Sequence, residues 1–537
     1  MKFLSLIAFI SVCSPALGIG GAIQGLEDAM EIQRQQMERL HDFLGPTSDS
    51  GGLPKRQPDS PTISFSNPKA AKFFVDGSKI PDVNFDAGPS WSGLMPISAD
   101  PKETRKLFFW FWPTSNASST NDLLFWTNGG PGCSSLEGFL QENGPISWSW
   151  GQSEPTPNPF SWTNLAHVLW VEQPVGTGFS QGTPNITNDD ELAEQLTGFL
   201  EQFLEVFSEL KGKDFYLSGE SYAGFYVPYI ANWIYEHPGL DLNLHGIWIA
   251  DPSLTYGVVQ QEIPALRFAQ AHADLFPFNS SFWNTLQNIS DTCGYTDYLD
   301  KFVTYPPAGQ LPFPAGVVEG TLGTVQSSCR IHSPIQRAVG ILNPVFDVYR
   351  VSDTFPNLWS VLGFPRSTQK FVYFNRTDVQ DAIHAPHITW NSCTDNNVYA
   401  GNGRDNSVAS TLSVLPNVIE KSVRTVIVHG LADFILISEG TRIAIQNMTW
   451  GGAQGFQTAI EPESFTVENF GVFGNTHTER GLTYVEFFYS GHMTPRKPVL
   501  KNWWPALTVC FLPEFVPWAA FSTMSFLLGR QESPSNG

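Results

Sequence analysis

The sequence predicts an α/β fold in which helices flank a mostly parallel central sheet that carries a largely helical cap. Three observations predict it. Short apolar runs alternate with helical stretches from Trp91 onward, loops rich in Gly and Pro follow the runs, and residues 257–400 interrupt the alternation. The alternation indicates parallel strands, because each parallel connection needs a crossover segment.

Several apolar runs are predicted strands because each is short and bounded by turn-forming residues. They are Lys106–Trp112, Asp122–Thr127, His167–Val171, Phe215–Ser218, Gly246–Ala250, Thr425–Val428 and Tyr484–Tyr489. Residues 61–256 and 401–537 form the predicted core. Residues 257–400, with helix-like and proline-rich pieces, form the predicted cap.

The N-terminal region predicts export. Residues 1–18 contain a lysine, an apolar run and small residues, the pattern of a cleaved signal peptide, and the run is too short to span a membrane. Residues 19–60 are interpreted as a removable pro-segment ending near Lys55-Arg56, or alternatively as a surface helix and linker. We therefore expect secretion, with vacuolar delivery as the alternative.

Sequons of the form Asn-X-Ser/Thr agree with export, since they are acceptors of N-glycosylation. They begin at Asn116, Asn185, Asn279, Asn288, Asn375 and Asn447.

The composition excludes several classes of protein. With 42% hydrophobic and 15% charged residues, the chain of 537 residues is neither disordered nor fibrous. A formal net charge of −21 disfavours binding to nucleic acid and to anionic membranes. Because the sequence has no HExxH motif and no clustered Cys/His spacing, we expect no metal and no other cofactor.

The segment GESYAG, residues 219–224, has the form of a nucleophile elbow. A predicted strand precedes it and a helical pattern follows, so the chain would turn sharply at Ser221. Gly219 and Ala223 must be small for the strand and the helix to approach each other. Ser221 is the predicted nucleophile, and the amide of Tyr222 would donate a hydrogen bond to an oxyanion.

Asp433 and His492 each follow an apolar run, where catalytic side chains are common. The chain order Ser221, Asp433, His492 is that of the α/β-hydrolase fold. His492 is the predicted general base, and Asp433 would orient its imidazole. His429 is the rival histidine, which we interpret as a core residue.

Four segments together resemble one known family. They are WTNGGPGCSS at 126–135, WVEQPVGTGFS at 170–180, GESYAG at 219–224 and SGHM at 490–493. In this order they resemble the serine carboxypeptidases, and the match spans roughly Trp91 to His492. The resemblance implies an enzyme that releases C-terminal amino acids from peptides through an acyl-enzyme on Ser221.

The resemblance also implies binding residues. Gly130 would supply the second oxyanion-hole amide. Asn128, Glu142 and Glu220 would hold the terminal carboxylate of the substrate, with Trp126 lining the same site. Two neighbouring acids can bind a carboxylate only if they keep protons, which burial and mutual repulsion favour. We therefore expect the enzyme to work best at acidic pH.

The cysteine pairing is likewise implied by the resemblance. It joins Cys133 to Cys393 and Cys293 to Cys329. Cys510 would remain unpaired within residues 494–511, which look inserted because the family continues almost at once from His-Met to a proline and a final helix. These residues are either unspliced intron sequence or a lineage-specific loop.

The fold and the triad do not fix the substrate. The same triad serves acyltransferases, esterases and hydroxynitrile-processing enzymes, and an inactive chain could be a binding protein. Asn128, Glu142 and Glu220 favour a peptidase whose partners are peptides with a free C-terminus. The oligomeric state stays open.

Overall fold

A computed structural model describes residues 63–149, 152, 154–353, 361–362, 372–394, 397–460, 464–467, 471–496 and 515–530. The predicted signal peptide and pro-segment lie outside the described residues, as do Cys510 and all but the first three residues of the segment 494–511.

The strands are numbered in chain order. They are β1 (Phe74–Val75), β2 (Ser90–Pro96), β3 (Lys106–Trp112), β4 (Asp122–Thr127), β5 (Ile146–Ser147), β6 (Thr156–Pro157), β7 (His167–Glu172), β8 (Asp214–Glu220), β9 (Asn243–Ala250), β10 (Arg424–Gly430), β11 (Thr449–Trp450), β12 (Ala453–Gln454), β13 (Ser464–Val467), β14 (Gly471–Glu479) and β15 (Leu482–Phe487). Every run predicted from the sequence overlaps one of them.

Among the described residues, one mixed sheet of 11 strands has the order β1-β2-β3-β7-β4-β8-β9-β10-β15-β14-β13. The strands from β7 to β15 in this order pair in parallel, and the outer strands pair antiparallel. The predicted parallel sheet is therefore confirmed at the centre. Parallel strands end at the same edge, so the loops that follow β4, β8, β9, β10 and β15 emerge together.

The α-helices are likewise numbered in chain order. They are α1 (Ser135–Gly138), α2 (Asp189–Val206), α3 (Ala223–Glu236), α4 (Ile263–Ala271), α5 (Ser280–Cys293), α6 (Tyr298–Phe302), α7 (His332–Leu342), α8 (Thr377–Ala382), α9 (Ala400–Gly403), α10 (Leu415–Lys421), α11 (Ser438–Asn447) and α12 (Phe515–Leu527).

Both faces of the sheet are buried, because alternate side chains of each strand enter two different apolar cores. In β3, Phe109 and Phe111 enter one core while Trp110 and Trp112 enter the other. The first core contains the apolar faces of α2 and α3. The second contains side chains of α12. Layers of helix, sheet and helix result, as an α/β-hydrolase requires.

Helices α4 to α8 lie in the chain between β9 and β10, where the sequence predicts the cap. Within residues 257–400, the described part contains no strand of the main sheet. The disulfide Cys293–Cys329 closes a loop inside this segment. The domain boundaries themselves stay a prediction.

The chain returns to the sheet after the segment 494–511. Helix α12 packs on β9 and β10, and the indole nitrogen of Trp248 donates a hydrogen bond to Thr523 Oγ1 at 3.0 Å. None of the helices in the described part of the chain is both long and apolar enough to cross a membrane.

Candidate active site

Ser221 lies at the tight turn between β8 and α3. Its φ angle is +62°, a backbone conformation that a side chain rarely adopts. The turn is fixed because Ser221 N donates to Ala250 O at 3.0 Å and Ser253 N donates to Ser221 O at 2.8 Å. The predicted elbow at Ser221 is therefore present, with the hydroxyl at the carboxyl edge of the parallel strands.

Small residues around the turn are a steric requirement, as the sequence predicted. A Cβ atom on Gly219 would lie 2.5 Å from Thr127 O and 2.6 Å from the Cβ of Ala223. A larger side chain at either position would push β8 and α3 apart.

Asp433 and His492 meet at the same edge of the sheet. His492 Nδ1 and Asp433 Oδ2 are 2.7 Å apart, and both side chains are buried. Asp433 Oδ1 also accepts hydrogen bonds from the amides of Ile435 and Leu436, at 2.8 and 3.2 Å. With Nδ1 donating to the carboxylate, Nε2 is the nitrogen that can accept a proton.

Burial lowers the pKa of His492, so the neutral ring persists at acidic pH. Among the described residues, Ser221 Oγ forms no hydrogen bond of 3.5 Å or less, to His492 or to another group. Catalytic contacts of this kind are often long before substrate binds.

His429 is a core residue, as interpreted from the sequence. The side chain is inaccessible to solvent, and its ring nitrogens contact Leu436 O at 2.7 Å and Thr441 Oγ1 at 3.1 Å. The ring supports the loop that carries Asp433.

The loop after β4 lies against the backbone of the elbow. A Cβ atom on Gly129 would lie 2.3 Å from Tyr222 N, and Gly130 has a φ angle of +114°. Only glycine therefore fits the close approach and the backbone conformation at these two positions. The disulfide Cys133–Cys393 ties the loop to the segment before α9, so both predicted disulfides are confirmed.

A chain of hydrogen bonds leads from Trp126 to the elbow. The indole nitrogen of Trp126 donates to Asn128 Oδ1 at 2.8 Å, and Asn128 Nδ2 donates to Glu220 Oε1 at 2.8 Å. Because the side chain of Trp126 is buried, Trp126 influences Glu220 through its hydrogen bond to Asn128.

The carboxyl groups of Glu142 and Glu220 are close enough to interact and are both nearly inaccessible to solvent. Both carboxyl oxygens of Glu142 and one of Glu220 lack a donor among the described residues. Burial raises the pKa of Glu142 to about 7, and burial together with the charge of Glu142 raises the pKa of Glu220. The pair therefore holds a proton at acidic pH, next to Ser221.

The sequence reasoning missed Asp251, a buried acid directly after β9. Single ligand atoms of Asp251, Asp433 and His492 all lie within 4.8 Å of one another. Asp251 Oδ1 accepts from Gly430 N at 2.8 Å, and Asp251 Oδ2 accepts from Thr494 Oγ1. An acid directly after the predicted strand Gly246–Ala250 was the signal that could have found it.

Two further buried acids were missed. Burial raises the pKa of Glu137 to about 8, with Glu142 as the next cause. Burial raises the pKa of Glu172 to about 7, although Ser134 Oγ, Phe179 N and Trp390 Nε1 all donate to it. In WVEQPVGTGFS an acid inside an apolar run was the available signal for Glu172.

The predicted glycosylation sites differ in accessibility. The exposed ones are Asn116, Asn185, Asn279 and Asn288. Asn375 exchanges hydrogen bonds with the backbone of Trp390, at 2.5 and 3.0 Å, and Asn447 Oδ1 accepts from Leu311 N at 2.8 Å. Both of these side chains are partly buried.

Comparison with known proteins agrees with this geometry. A family model described as serine carboxypeptidase matches residues 81–297 and 351–500. A probable serine carboxypeptidase of Arthroderma benhamiae is 43% identical over 514 residues, covering 90% of this chain and 91% of that protein. The chain belongs to the serine carboxypeptidase family.

Other serine carboxypeptidases match over most of their length. The serine-type carboxypeptidase F of Aspergillus niger is 38% identical over 542 residues, covering 95% of this chain and 94% of that protein. The crystal structure of a prohormone-processing carboxypeptidase from Saccharomyces cerevisiae has a TM-score of 0.61 at 23% identity, covering 79% of this chain and 93% of that chain. The latter supports the fold.

The enzyme class expected from the four sequence segments is thus confirmed: the protein is a serine-type carboxypeptidase, a hydrolase that acts on peptides. Membership of the family does not favour the acyltransferase or esterase alternative.

Proposed function

We propose that this serine carboxypeptidase removes C-terminal residues through an acyl-enzyme on Ser221. His492 Nε2 takes the hydroxyl proton as Ser221 Oγ attacks the carbonyl carbon of the last peptide bond. The amides of Gly130 and Tyr222 stabilise the oxyanion. The carbon–nitrogen bond then breaks, and His492 returns the proton to the leaving amino acid. Water hydrolyses the ester by the same route in reverse.

The observation that carries the proposal is the position of Glu142 and Glu220, with carboxyl oxygens that lack donors, directly beside Ser221. A protonated pair can donate to the terminal carboxylate of a peptide, which Asn128 would also contact. A carboxylate anchor next to the nucleophile limits cleavage to the last bond, because a longer chain end would have to bury its backbone. This supports exopeptidase activity best at acidic pH.

We further propose that the protein is secreted, with vacuolar delivery as the alternative, on the basis of the leader pattern in residues 1–18. N-terminal sequencing of the protein from culture medium and from vacuoles distinguishes the two destinations. Recovery of protein that still carries residues 1–18 would contradict cleavage of the leader.

The test of function compares Ser221→Ala with Ser208→Ala, a change of the same kind at an exposed serine. We expect Ser221→Ala to lower kcat for release of single C-terminal amino acids by about 10⁴-fold or more. Ser208→Ala should release them at the wild-type rate. Undiminished release by folded Ser221→Ala protein would overturn the proposal.

A further inference from the structure

A second pair of buried acids is linked through Tyr222 to the loop that follows β4 (residues 128–134, called the oxyanion loop). The mechanism above does not use this pair. Asp189 is the first residue of α2, and Asp405 follows α9. The side chains are 0% and 6% exposed. The two residues are distant in sequence, but hydrogen bonds join their segments, including one from Asp189 N to Ser407 Oγ at 2.7 Å.

Each carboxyl accepts a hydrogen bond from a buried tyrosine. Tyr399 OH donates to Asp189 Oδ1 at 2.5 Å, and Tyr222 OH donates to Asp405 Oδ2 at 2.6 Å. Ser407 donates to Asp405 Oδ1 twice, from its amide at 2.8 Å and from its hydroxyl at 2.6 Å. Asp405 is therefore well supplied with donors.

Asp189 Oδ2 is different. It is buried and receives no hydrogen bond from a donor in the described part of the chain. The carboxyl of Asp405 lies within hydrogen-bonding reach of the Asp189 carboxyl. Two carboxyl groups can form a hydrogen bond with each other only if a proton lies between them.

Tyr222 connects this pair to the oxyanion hole. Its amide faces Gly129, where a Cβ atom would lie 2.3 Å away, and its ring stacks on Phe225 with centroids 5.0 Å apart. Its hydroxyl is held by Asp405. A shift of Asp405 would therefore pull on the residue whose amide is the proposed oxyanion donor.

We propose that Asp189 and Asp405 share one proton and act as a positioning pair, which holds Tyr222 in place for catalysis only while that proton is bound. The catalytic part of this inference rests on the proposed function of Tyr222. The inference that Asp189 and Asp405 share a proton does not depend on that function.

The surroundings of the pair favour the protonated state. Burial raises the pKa of Asp189, and the charge of Asp405 raises it further. Burial also raises the pKa of Asp405, while hydrogen bonds from Ser407 and Tyr222 lower it. The other groups that face the pair are acids and phenols. They are Asp190 on α2, Tyr226 and Tyr229 on α3, and Tyr399.

The pair therefore stabilises the fold at acidic pH. A folded-state pKa above the unfolded value means that the native protein binds more protons, so stability falls as pH rises toward the folded pKa. Above it, two buried carboxylates repel each other, and their separation would displace the acceptor atoms that hold the hydroxyl groups of Tyr222 and Tyr399.

The first test is the melting temperature from about pH 4 to about pH 8 for three proteins: wild type, Asp189→Asn and Asp274→Asn. The carboxamide introduced by Asp189→Asn can accept from Tyr399 and donate to Asp405 without a shared proton. We expect the melting temperature of Asp189→Asn to fall less than that of wild type as the pH rises. Asp274→Asn makes the same change of charge at an exposed acid after α4 and should follow wild type.

The second test is kcat against pH for an ester substrate without a free carboxylate, so that Glu142 and Glu220 do not contribute. We expect Asp189→Asn to shift the alkaline fall in kcat to higher pH by about one unit. At a given pH in that range, kcat would then be roughly tenfold higher. Asp274→Asn should leave the pH dependence of kcat unchanged. A shift in the melting curves without a shift in kcat would overturn the positioning role and leave proton sharing supported.

Parallel melting curves for wild type and Asp189→Asn would overturn proton sharing, whatever the activity. Asp405→Asn is the reciprocal variant and should flatten the decline in the same way. Failure of both Asn variants to fold would also contradict the proposal, because an amide should replace a protonated acid at small cost. Inactivity of wild type toward every substrate would refute the proposed function instead, and the melting curves would remain interpretable.

Discussion

In the proposed mechanism, Glu142 and Glu220 would set the pH range of substrate binding, because a carboxylate can be held by two acids only while they retain a proton. Burial raises the pKa of Glu142 to about 7, and the coupled pKa of Glu220 is raised as well. Loss of the proton replaces a donor by a repelling charge. On this proposal, recognition of the substrate would depend on pH independently of His492.

We expect KM for a peptide with a free C-terminus to rise at least about tenfold between about pH 5 and about pH 8, since one proton must be bound. KM for the matched C-terminal amide should change much less. Steady-state kinetics on both substrates measures the difference. A flat KM for the free-acid peptide over this range would rule out a protonated pair as the anchor.

The role of Asp433 can be tested by Asp433→Asn. The carboxamide can no longer stabilise the imidazolium and favours the wrong tautomer of His492, whose Nδ1 is 2.7 Å from Asp433 Oδ2. We expect kcat to fall by about 10³- to 10⁴-fold with little change in KM. Asp274→Asn, the same exchange at an exposed acid, is the control. A variant with more than a tenth of wild-type kcat would exclude Asp433 as the orienting acid.

At the scale of elements, the oxyanion loop depends on glycine for both its conformation and its contacts. A Cβ atom on Gly130 would lie 2.6 Å from Cys133 N, at a φ angle of +114°. Gly212 has a φ angle of +73° but has open space around the position of a Cβ atom. A comparison of substitutions at Gly130 and Gly212 therefore separates the effect of backbone strain from the effect of crowding at the site.

We expect Gly130→Ala and Gly212→Ala each to lose about 1–2 kcal/mol of stability from backbone strain, with an extra loss for Gly130→Ala. Only Gly130→Ala should lower kcat, by about 10²-fold if an oxyanion donor is displaced. Denaturant unfolding and kinetics measure the two effects. Equal kcat in the two variants would remove the loop from the mechanism.

The central strands could be predicted from the sequence because strands buried on both faces read as continuous apolar runs. The outer strands β1, β2, β13 and β14 were not among the predicted runs. β1 has two residues, β2 contains Gly93, and the polar sequence of β14 begins at Gly471 and includes Gly474. Strands that are very short, polar or interrupted by glycine lack the continuous apolar run that reveals the central strands.

The site was predictable where its chemistry is local in sequence. The elbow, the oxyanion loop and the strand-end residues Asp433 and His492 can each be recognised from a short segment of the sequence. The contact of Asp189 with Asp405 joins residues more than 200 positions apart and depends on burial, which the sequence does not display. Asp251 and Glu172, by contrast, each adjoin an apolar run and could have been found from that signal.

At the scale of the whole molecule, acids with a raised pKa and acids with a lowered pKa have opposite effects on how stability depends on pH. Burial raises the pKa of Glu137 to about 8 and of Glu172 to about 7. The Arg105 guanidinium lowers the pKa of Glu103 to about 2. The first group destabilises the fold as pH rises from about 4.5 through about 8, and the second as pH falls from about 4.5 toward 2.

We therefore expect maximal stability near pH 4 to 5, with a decline on both sides. Urea unfolding midpoints across the pH range measure this profile, and added salt should weaken mainly the acid-side decline, because the pair Arg105–Glu103 is partly exposed. A maximum above about pH 7 would contradict the assignment of the buried acids as protonated.

The claim on which the mechanism depends is that Ser221 carries the acyl group during turnover. Acid quenching of the enzyme during hydrolysis of a slow ester, followed by peptide mass spectrometry, locates that group directly. We expect the acyl mass on the peptide that contains Ser221, and none in Ser221→Ala. An acyl group on another residue, or turnover without any covalent adduct under conditions that trap one in a known serine hydrolase, would contradict the account.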